Sequence, residues 1–322
     1  MAVIGKSLET ACELLSSGEV VAIPTETVYG LAGNALNIRA IDKIYSIKNR
    51  PRNNPLILHI SGIDSLQYHA KNIPEAALKL AERFWPGPLT LLLPKAPHVI
   101  DEATAGLPNV AIRVPAHPLT LGLLNMLSFP LAAPSANPYG YISPTNAAHV
   151  NNQLGDKIKY ILDGGPCIRG IESTIVGFEE DLPVIYRMGA VTPADIKTVT
   201  GNVKLHQSQG NKPLASGMSL SHYSPKTSVY LTKNINDLNN ILPSQNFGLL
   251  TFKNLYPITG REKQIVLSST GDLEEAAKNL YDALHRLDSM QLDLIIAEYV
   301  PGEGIGIAIN DRLTRAAHKI IA

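Results

Sequence analysis

Four cations and four small hydroxyls stand at or beside the ends of apolar runs in this chain: Lys48, Arg50, Arg113 and Arg187, with Thr27, Ser135, Ser143 and Ser173. Side chains of these types suit phosphate and carboxylate ligands. Reactions at phosphorus need positioning and charge neutralisation more than a dedicated side-chain nucleophile. The chain has no HExxH, no GxSxG and no GxxxxGK[ST], so the usual zinc-peptidase, serine-hydrolase and P-loop chemistries are not indicated.

These residues must be positioned by the elements around Pro24–Gly33, which reads PTETVYGLAG. The segment follows Val20–Ile23, a short apolar run that predicts a buried strand. Thr25, Glu26, Thr27 and Tyr29 crowd just past its end, where open α/β sheets bind ligands. Gly30 and Gly33 let the backbone turn or approach something closely. Before it, Ser7–Ser17 predicts a helix capped by Ser7, with Cys12 on its core face. After it, Ile38–Lys48 predicts a helix that runs into KNRPRNNP, where Pro51 forbids a regular continuation. Arg39–Arg52 holds five basic residues and one acidic one. That composition reads either as a solvated helix end complementing the dipole or as a fixed set of cations for phosphates.

Leu56–Ile60 predicts a strand containing His59, Pro74–Trp85 a helix, and Leu89–Leu93 a strand. Val110–Val114, reading VAIRV, embeds Arg113, a charge that calls for a partner. Pro118–Leu127 is expected to be helical. In Leu131–Asn137, LAAPSAN, the side chains of Ser135 and Asn137 point the same way if the chain is extended. Ser143 opens a loop that leads to a helix near Thr145. Tyr160–Asp163, a strand entered by Glu172–Thr174, and Ile185–Met188 complete an N-terminal mixed α/β sheet.

The chain has 322 residues, 45% apolar and 17% charged, with 28 basic and 28 acidic side chains. That is an ordinary globular composition, long enough for two domains. It gives no global positive charge for wrapping nucleic acid. Cys12 and Cys167 form no CxxC, which argues against a zinc module or disulfide framework and for a reducing, cytoplasmic setting. No signal peptide or membrane span is read. Gln207–Thr227 predicts a linker, although Met218, His222 and Tyr223 are out of place in a solvated tether. Beyond it, strands at Val229–Leu231, Gly248–Phe252, Ile265–Leu267 and Leu292–Tyr299 alternate with helices at Asp272–Met290 and Ile305–Ile321. This pattern predicts a smaller Rossmann-like α/β domain. Pro301–Gly306, PGEGIG, reads as a turn. The expected division is 1–205, a linker or lid at 206–228, and 229–322.

The blocks PTETVYGLAGNA, KNRPRNNPLILHI, FWPGPLTLLL, VAIRVP, APSANPYG, GGPCIRGIESTIV and YRMG occur in this order. Together they resemble the YrdC/Sua5 family, with Lys48/Arg50 as its KxR motif and Ser135/Asn137 as its SxN motif. SGMSLSHYSP and the trailing α/β unit resemble the long, two-domain Sua5 form. The resemblance implies a twisted sheet with a concave basic face and an L-threonylcarbamoyladenylate synthase. Such an enzyme joins L-threonine, bicarbonate or CO2, and ATP with Mg2+, for N6-threonylcarbamoyladenosine at position 37 of tRNAs reading ANN codons. A downstream transferase consumes the product.

By the same resemblance Thr27, His59, Arg113, Ala133 and Ser173 hold threonine. Lys48, Arg50, Asn54, Asn109, Ser135, Asn137, Ser143, Arg187, His222 and Tyr223 contact ATP, and Lys48 and Arg50 are the catalytic cations. Glu26 and Glu172 either touch substrate or orient a cation. Two other readings have less support. A hydrogenase-maturation carbamoyltransferase would bring cysteine-rich zinc modules. An RNA-binding module would bring net positive charge and aromatics. Because Lys48 and Arg50 lie where the apolar pattern stops, their replacement by alanine is expected to remove activity without opening a core cavity. Ser216–Pro225 is expected to act as a lid over ATP, with docking of His222 and Tyr223 on the second domain as the alternative.

Overall fold

The computed structural model describes residues 1–206, 223–235, 246–257, 259–260 and 263–321. Among these, the first part of the chain forms β1 (Val3–Gly5), α1 (Leu8–Ser16), β2 (Val21–Ile23), β3 (Gly30–Asn34), α2 (Ile38–Lys48), β4 (Ile57–His59), α3 (Leu66–His69), α4 (Glu75–Phe84), β5 (Leu89–Pro94), α5 (Asp101–Thr104) and β6 (Asn109–Arg113). It continues with α6 (Pro118–Met126), β7 (Leu131–Ala132), α7 (Ala147–Leu154), β8 (Tyr160–Leu162), β9 (Thr174–Glu179), β10 (Leu182–Arg187), α8 (Pro193–Thr200) and β11 (Lys204–Leu205). The later part forms β12 (Ser228–Thr232), β13 (Phe247–Thr251), β14 (Gln264–Val266), α9 (Leu273–Asp288), β15 (Leu294–Glu298), α10 (Gly306–Ala316) and β16 (Lys319–Ile321).

The chain separates into two compact units. The first unit holds Met1–Tyr139, Pro144–Ile168 and the described residues from Glu172 to 206. The second holds Gly140–Ser143, Arg169–Ile171 and the described residues from Tyr223 onward. The first unit is therefore not the uninterrupted 1–205 anticipated from the sequence. Two short segments belong to the second unit because their contacts lie there: Tyr141 Oη donates to the Asp288 carboxylate, and Gly170 packs on the Lys278 backbone. Among the described residues no helix is long and apolar enough to cross a membrane.

The first unit is built on an eleven-stranded mixed sheet in the order β1-β8-β2-β3-β7-β4-β6-β5-β9-β10-β11. Strand alternation sends Leu58, Leu91, Val110 and Val176 into the larger apolar cluster, which contains residues of α2, α4, α5, α7 and α8. The opposite face carries a cluster that contains residues of α1 and α6, including Leu15, Leu123, Val21 and Leu131. Farther along the sheet that face carries a small cluster of strand residues alone: Ile57, Leu92, Ala111 and Ile175, with Tyr186 against them. The same alternation puts His59 and Arg113 on this last surface, paired across β4 and β6. Arg187 joins them because Ile175 and Arg187 are register partners across β9 and β10. A register shift between Ile185 and Arg187 makes room for Tyr186 as an extra residue. Gly177 accommodates its ring, since a Cβ there would lie 2.6 Å from Tyr186.

The glycines of Pro24–Gly33 serve close approach and not a turn. Both lie on strand β3 without positive φ. A Cβ on Gly30 would lie 3.1 Å from Ala133 Cβ, and one on Gly33 would lie 3.2 Å from Ile44 Cδ1. Other elements follow the sequence pattern closely, with Ser7 capping α1 and Asn37 capping α2. Cys12 is only partly buried, at the edge of the α1 cluster. Helix α8 escaped the sequence reading although its signal is present. Thr192 and Asp195 form a reciprocal capping box, with Pro193 in the first turn.

The second unit is an open, all-parallel five-stranded sheet in the order β14-β13-β15-β12-β16. The final helix expected through Ile321 ends at Ala316 instead. The last residues pair as a strand with β12, which suits the β-branched Ile320 and Ile321 and occupies an otherwise open edge. Pro301–Gly306 is a turn up to the start of α10, as expected.

One glycine ties the fold to the strand ends. A Cβ on Gly189 would lie 2.4 Å from Glu172 O, 2.4 Å from Ser173 C and 2.5 Å from Thr174 N, all backbone atoms. Gly189→Ala should therefore cost about 1–3 kcal/mol and displace Ser173. Chemical denaturation checks the first effect; unchanged stability would mean that the Glu172–Thr174 segment yields freely.

Candidate functional site

Arg113 is held from several sides. It is buried at the end of β6. Its Nε donates to Gly87 O (3.1 Å), its Nη1 to Thr27 Oγ1 (3.0 Å), and its Nη2 lies 2.6 Å from Glu26 Oε1. Glu26 is itself fixed, its Oε2 accepting from Ala116 N (3.0 Å). The Glu26–Arg113 contact is an ion pair and satisfies two atoms that strict hydrogen-bond angles leave unmatched. Glu26 thus orients a cation, one of the two roles the sequence left open for it. A guanidinium has five N–H groups, so two point elsewhere and can grip a carboxylate.

The turn that delivers Glu26 and Thr27 is held by Thr25. Its Oγ1 accepts from Thr27 N (3.1 Å) and Val28 N (3.2 Å) and donates to Val28 O (2.6 Å). This is the local side-chain capping that threonine favours in turns. His59 lies across from Arg113 in the sheet register, buried, with Nδ1 3.3 Å from Ile57 O. Burial, and secondarily the Arg113 charge, push its pKa down to about 3. His59 is thus a neutral imidazole at physiological pH.

Ser173 and Arg187 form the next contact along this surface. Arg187 Nη2 donates to Ser173 O (2.8 Å) and Ser173 Oγ (3.1 Å), and its Nε also donates to Ser173 O (3.2 Å). Ser173 Oγ shares a 2.7 Å hydrogen bond with Thr90 Oγ1. Thr90 was missed in the sequence reading. Its signal was a single polar residue within the apolar run LTLLL. Ala133 is buried, and its amide donates to Ile57 O (3.0 Å).

Lys48 and Arg50 make a second group. Lys48 ends α2, where Asn49 adopts the left-handed conformation and turns the chain. Lys48 Nζ donates to Ser135 O and Asn137 O, each at 2.5 Å. Arg50 donates to Asn54 Oδ1 (2.6 Å), Asn54 O (3.0 Å) and Pro55 O (2.9 Å), and its guanidinium lies over the Tyr139 ring at 5.8 Å. Burial, and secondarily the charge of Arg50, push the Lys48 pKa well below its ordinary value. The five basic residues of Arg39–Arg52 therefore separate. Lys43 and Arg52 pair at the surface with Glu19 and Asp42, whereas Lys48 and Arg50 are buried.

That burial corrects an expectation. Lys48→Ala does leave a gap, and it removes one donor from each of two carbonyl oxygens, so its cost is structural as well as chemical.

The remaining predicted residues are placed differently. Asn109 begins β6, at the opposite end of that strand from Arg113, and lines a separate small cleft with Gly177 and Tyr186. Ser143 belongs to the second unit, where its carbonyl lies 3.2 Å from His285 Nε2. Tyr223 is also in the second unit, buried against Tyr281 (5.7 Å between ring centroids), with Arg312 5.0 Å from its own ring centroid. For Tyr223 this is the docking arrangement. His222 and the rest of the expected lid before Tyr223 lie outside the described residues. Among the described residues no three His, Cys, Asp or Glu side chains gather where a metal ion could be held.

These features define an α/β protein whose first unit presents buried, pre-oriented cations at the ends of β6 and β10 and of helix α2. A family model described as telomere recombination, covering Sua5, YciO and YrdC, matches residues 13–189. A second, described as the C-terminal domain of threonylcarbamoyl-AMP synthase, matches residues 191–318. The chain belongs to the Sua5/YciO/YrdC family and has the two-domain Sua5 composition.

It is 41% identical to the threonylcarbamoyl-AMP synthase of Bacillus subtilis, over 95% of this chain and 92% of that protein. It is 39% identical to the one from Pyrococcus abyssi, over 98% and 95%. A crystal structure of P. abyssi Sua5 complexed with L-threonine superposes with a TM-score of 0.91 at 35% identity, covering 100% of this chain and 99% of that one.

The buried imidazole gives a pH prediction. The folded pKa of His59 is depressed, so between about 3 and its ordinary value near 6.5 the unfolded chain binds a proton that the folded one does not. Stability should therefore rise with pH through that window and fall as pH drops from about 6.5 toward 3. The slope from this residue is at most about 1.4 kcal/mol per pH unit. His59→Gln should flatten the curve; urea midpoints from pH 4 to 7 that keep the wild-type slope would assign the acid sensitivity elsewhere.

Proposed function

We propose that the chain is an L-threonylcarbamoyladenylate synthase. The observation that carries this reading is Arg113, whose guanidinium is clamped by Glu26, Thr27 and Gly87 so that two N–H groups remain for a carboxylate beside a neutral imidazole. The relatives that match over nearly the whole chain bear that activity in their names. Threonine's carboxylate takes Arg113, and the hydroxyls of Thr27 and Ser173 with His59 and Ala133 surround the rest of the amino acid.

The neutral amine of threonine attacks CO2, giving a carbamate and releasing a proton. A carbamate oxygen then attacks the α-phosphorus of ATP. The bond to the β-phosphate oxygen breaks, and pyrophosphate leaves. Two anions and a triphosphate must meet, and Lys48, Arg50 and Arg187 offset their repulsion. Mg2+ would arrive on the triphosphate oxygens, since the site offers cations and hydroxyls in place of a carboxylate cage; it supplies further charge neutralisation. The product is a mixed anhydride for a downstream transferase that acts on tRNA adenosine, and the reaction is placed in the cytoplasm.

The test is exchange of labelled pyrophosphate into ATP, which should require both threonine and bicarbonate. Exchange that ignores threonine would sink the reading. Arg113→Lys keeps the charge but loses the two-pronged grip. It should weaken threonine binding about tenfold or more and ATP binding less, and Glu26→Gln should shift the two affinities in the same sense. Calorimetric titration of each ligand checks this, and equal weakening of both would remove Arg113 from the carboxylate.

A further inference from the structure

Away from the strand-end cations, two imidazoles converge on each other. His69 Nδ1 and His98 Nε2 are 3.2 Å apart, with ring centroids 5.3 Å apart and ring planes tilted by 54°. His69 ends α3, and His98 lies in the loop that follows β5. Backbone contacts fix the spacing of these two segments. Ala96 N donates to His69 O (2.9 Å), Lys71 N donates to Pro94 O (2.8 Å), and Ala70 and Lys95 form a β-bridge. The imidazoles are therefore brought together by the main chain and would stay close without their mutual hydrogen bond.

Two nitrogen ligands at 2.0–2.1 Å from a tetrahedral divalent ion lie about 3.3 Å apart. The observed 3.2 Å matches that separation, and binding needs the two rings only to turn until both lone pairs meet at one point off the N···N line. The room around the pair also suits an ion that keeps other ligands. His98 is exposed, and His69 lines a cavity of about 300 Å³ that also presents Ser61, Ser65, Tyr68 and Ser128.

We propose that His69 and His98 form a two-imidazole site for a divalent transition ion, of the Zn2+, Cu2+ or Ni2+ type that imidazole favours. Water or the neighbouring hydroxyls fill the remaining positions. Without the ion, one ring donates N–H to the other. With it, that inner proton moves to the outer nitrogen of its own ring, both inner lone pairs bind the metal, and no net proton is released. The site is independent of the proposed reaction, because neither histidine belongs to the cation groups on the sheet.

Zn2+ titration of the full chain, free of any affinity tag and in competition with a chromogenic chelator, tests the site. Cu2+ electron paramagnetic resonance then reads the number of nitrogen ligands. The expected result is one ion per chain with two imidazole nitrogens. His98→Ala and His69→Gln should each weaken Zn2+ at least about tenfold, since even loss of an outer-shell partner costs 10–100-fold. Both side chains lie outside the buried core, and an unchanged melting curve identifies folded variants. Wild-type affinity in either folded variant, or no difference between the wild type and the double variant, overturns the assignment.

Discussion

The ion pair between Glu26 and Arg113 is the contact on which the rest of the first unit's chemistry depends. Both side chains are almost fully buried. A charge there would be costly without its partner. The pair joins the turn after β2 to the end of β6, which are not neighbours in the sheet order. It also uses the Thr27 hydroxyl and the Gly87 carbonyl, so three residues from two separate segments converge on one guanidinium. A cation held in this way cannot swing to follow a ligand. An anion that met such a cation would find it already in place, with little ordering left to do.

The surface beyond Arg113 follows from strand alternation. His59, Arg113, Arg187 and the apolar residues Ile57, Ala111 and Ile175 occupy one face because each is an even step from the next on its own strand or a register partner across strands. Polar side chains therefore gather at the strand ends above an apolar floor. The E. coli YciO crystal structure shares this fold over 59% of the chain, with a TM-score of 0.53 at 20% identity. What this chain adds after that region is an all-parallel sheet of its own.

Much of this arrangement was legible in the sequence, for identifiable reasons. Helix α2 was readable to the residue because the apolar stripe Ile38, Ile41, Ile44 and Tyr45 marks it, and the structure adds the Asn37 cap. The open α/β character of the second unit was readable because its short apolar runs are accompanied by the amphipathic helices α9 and α10. The burial of Lys48 was not legible. Periodicity puts it at a helix end, where a lysine normally reaches water, and only the return of the Ser135–Asn137 segment over it changes that. The role of Glu26 was hidden for a similar reason, since its partner lies 87 positions away in the chain. The final strand was masked by its continuity with α10. The assignment of Gly140–Ser143 to the second unit rests on contacts with residues far along the chain, which no local pattern announces.

The two hydrogen bonds from Lys48 to the carbonyls of Ser135 and Asn137 carry one more consequence. In its charged form a lysine ammonium group has three N–H bonds in a tetrahedral fan. Once two are committed to fixed backbone atoms, the direction of the third follows from geometry. The main chain of the SxN segment thus aims the lysine as well as restraining it. A guanidinium at this position would spread its donors in a plane and lose that aim, even with the same charge.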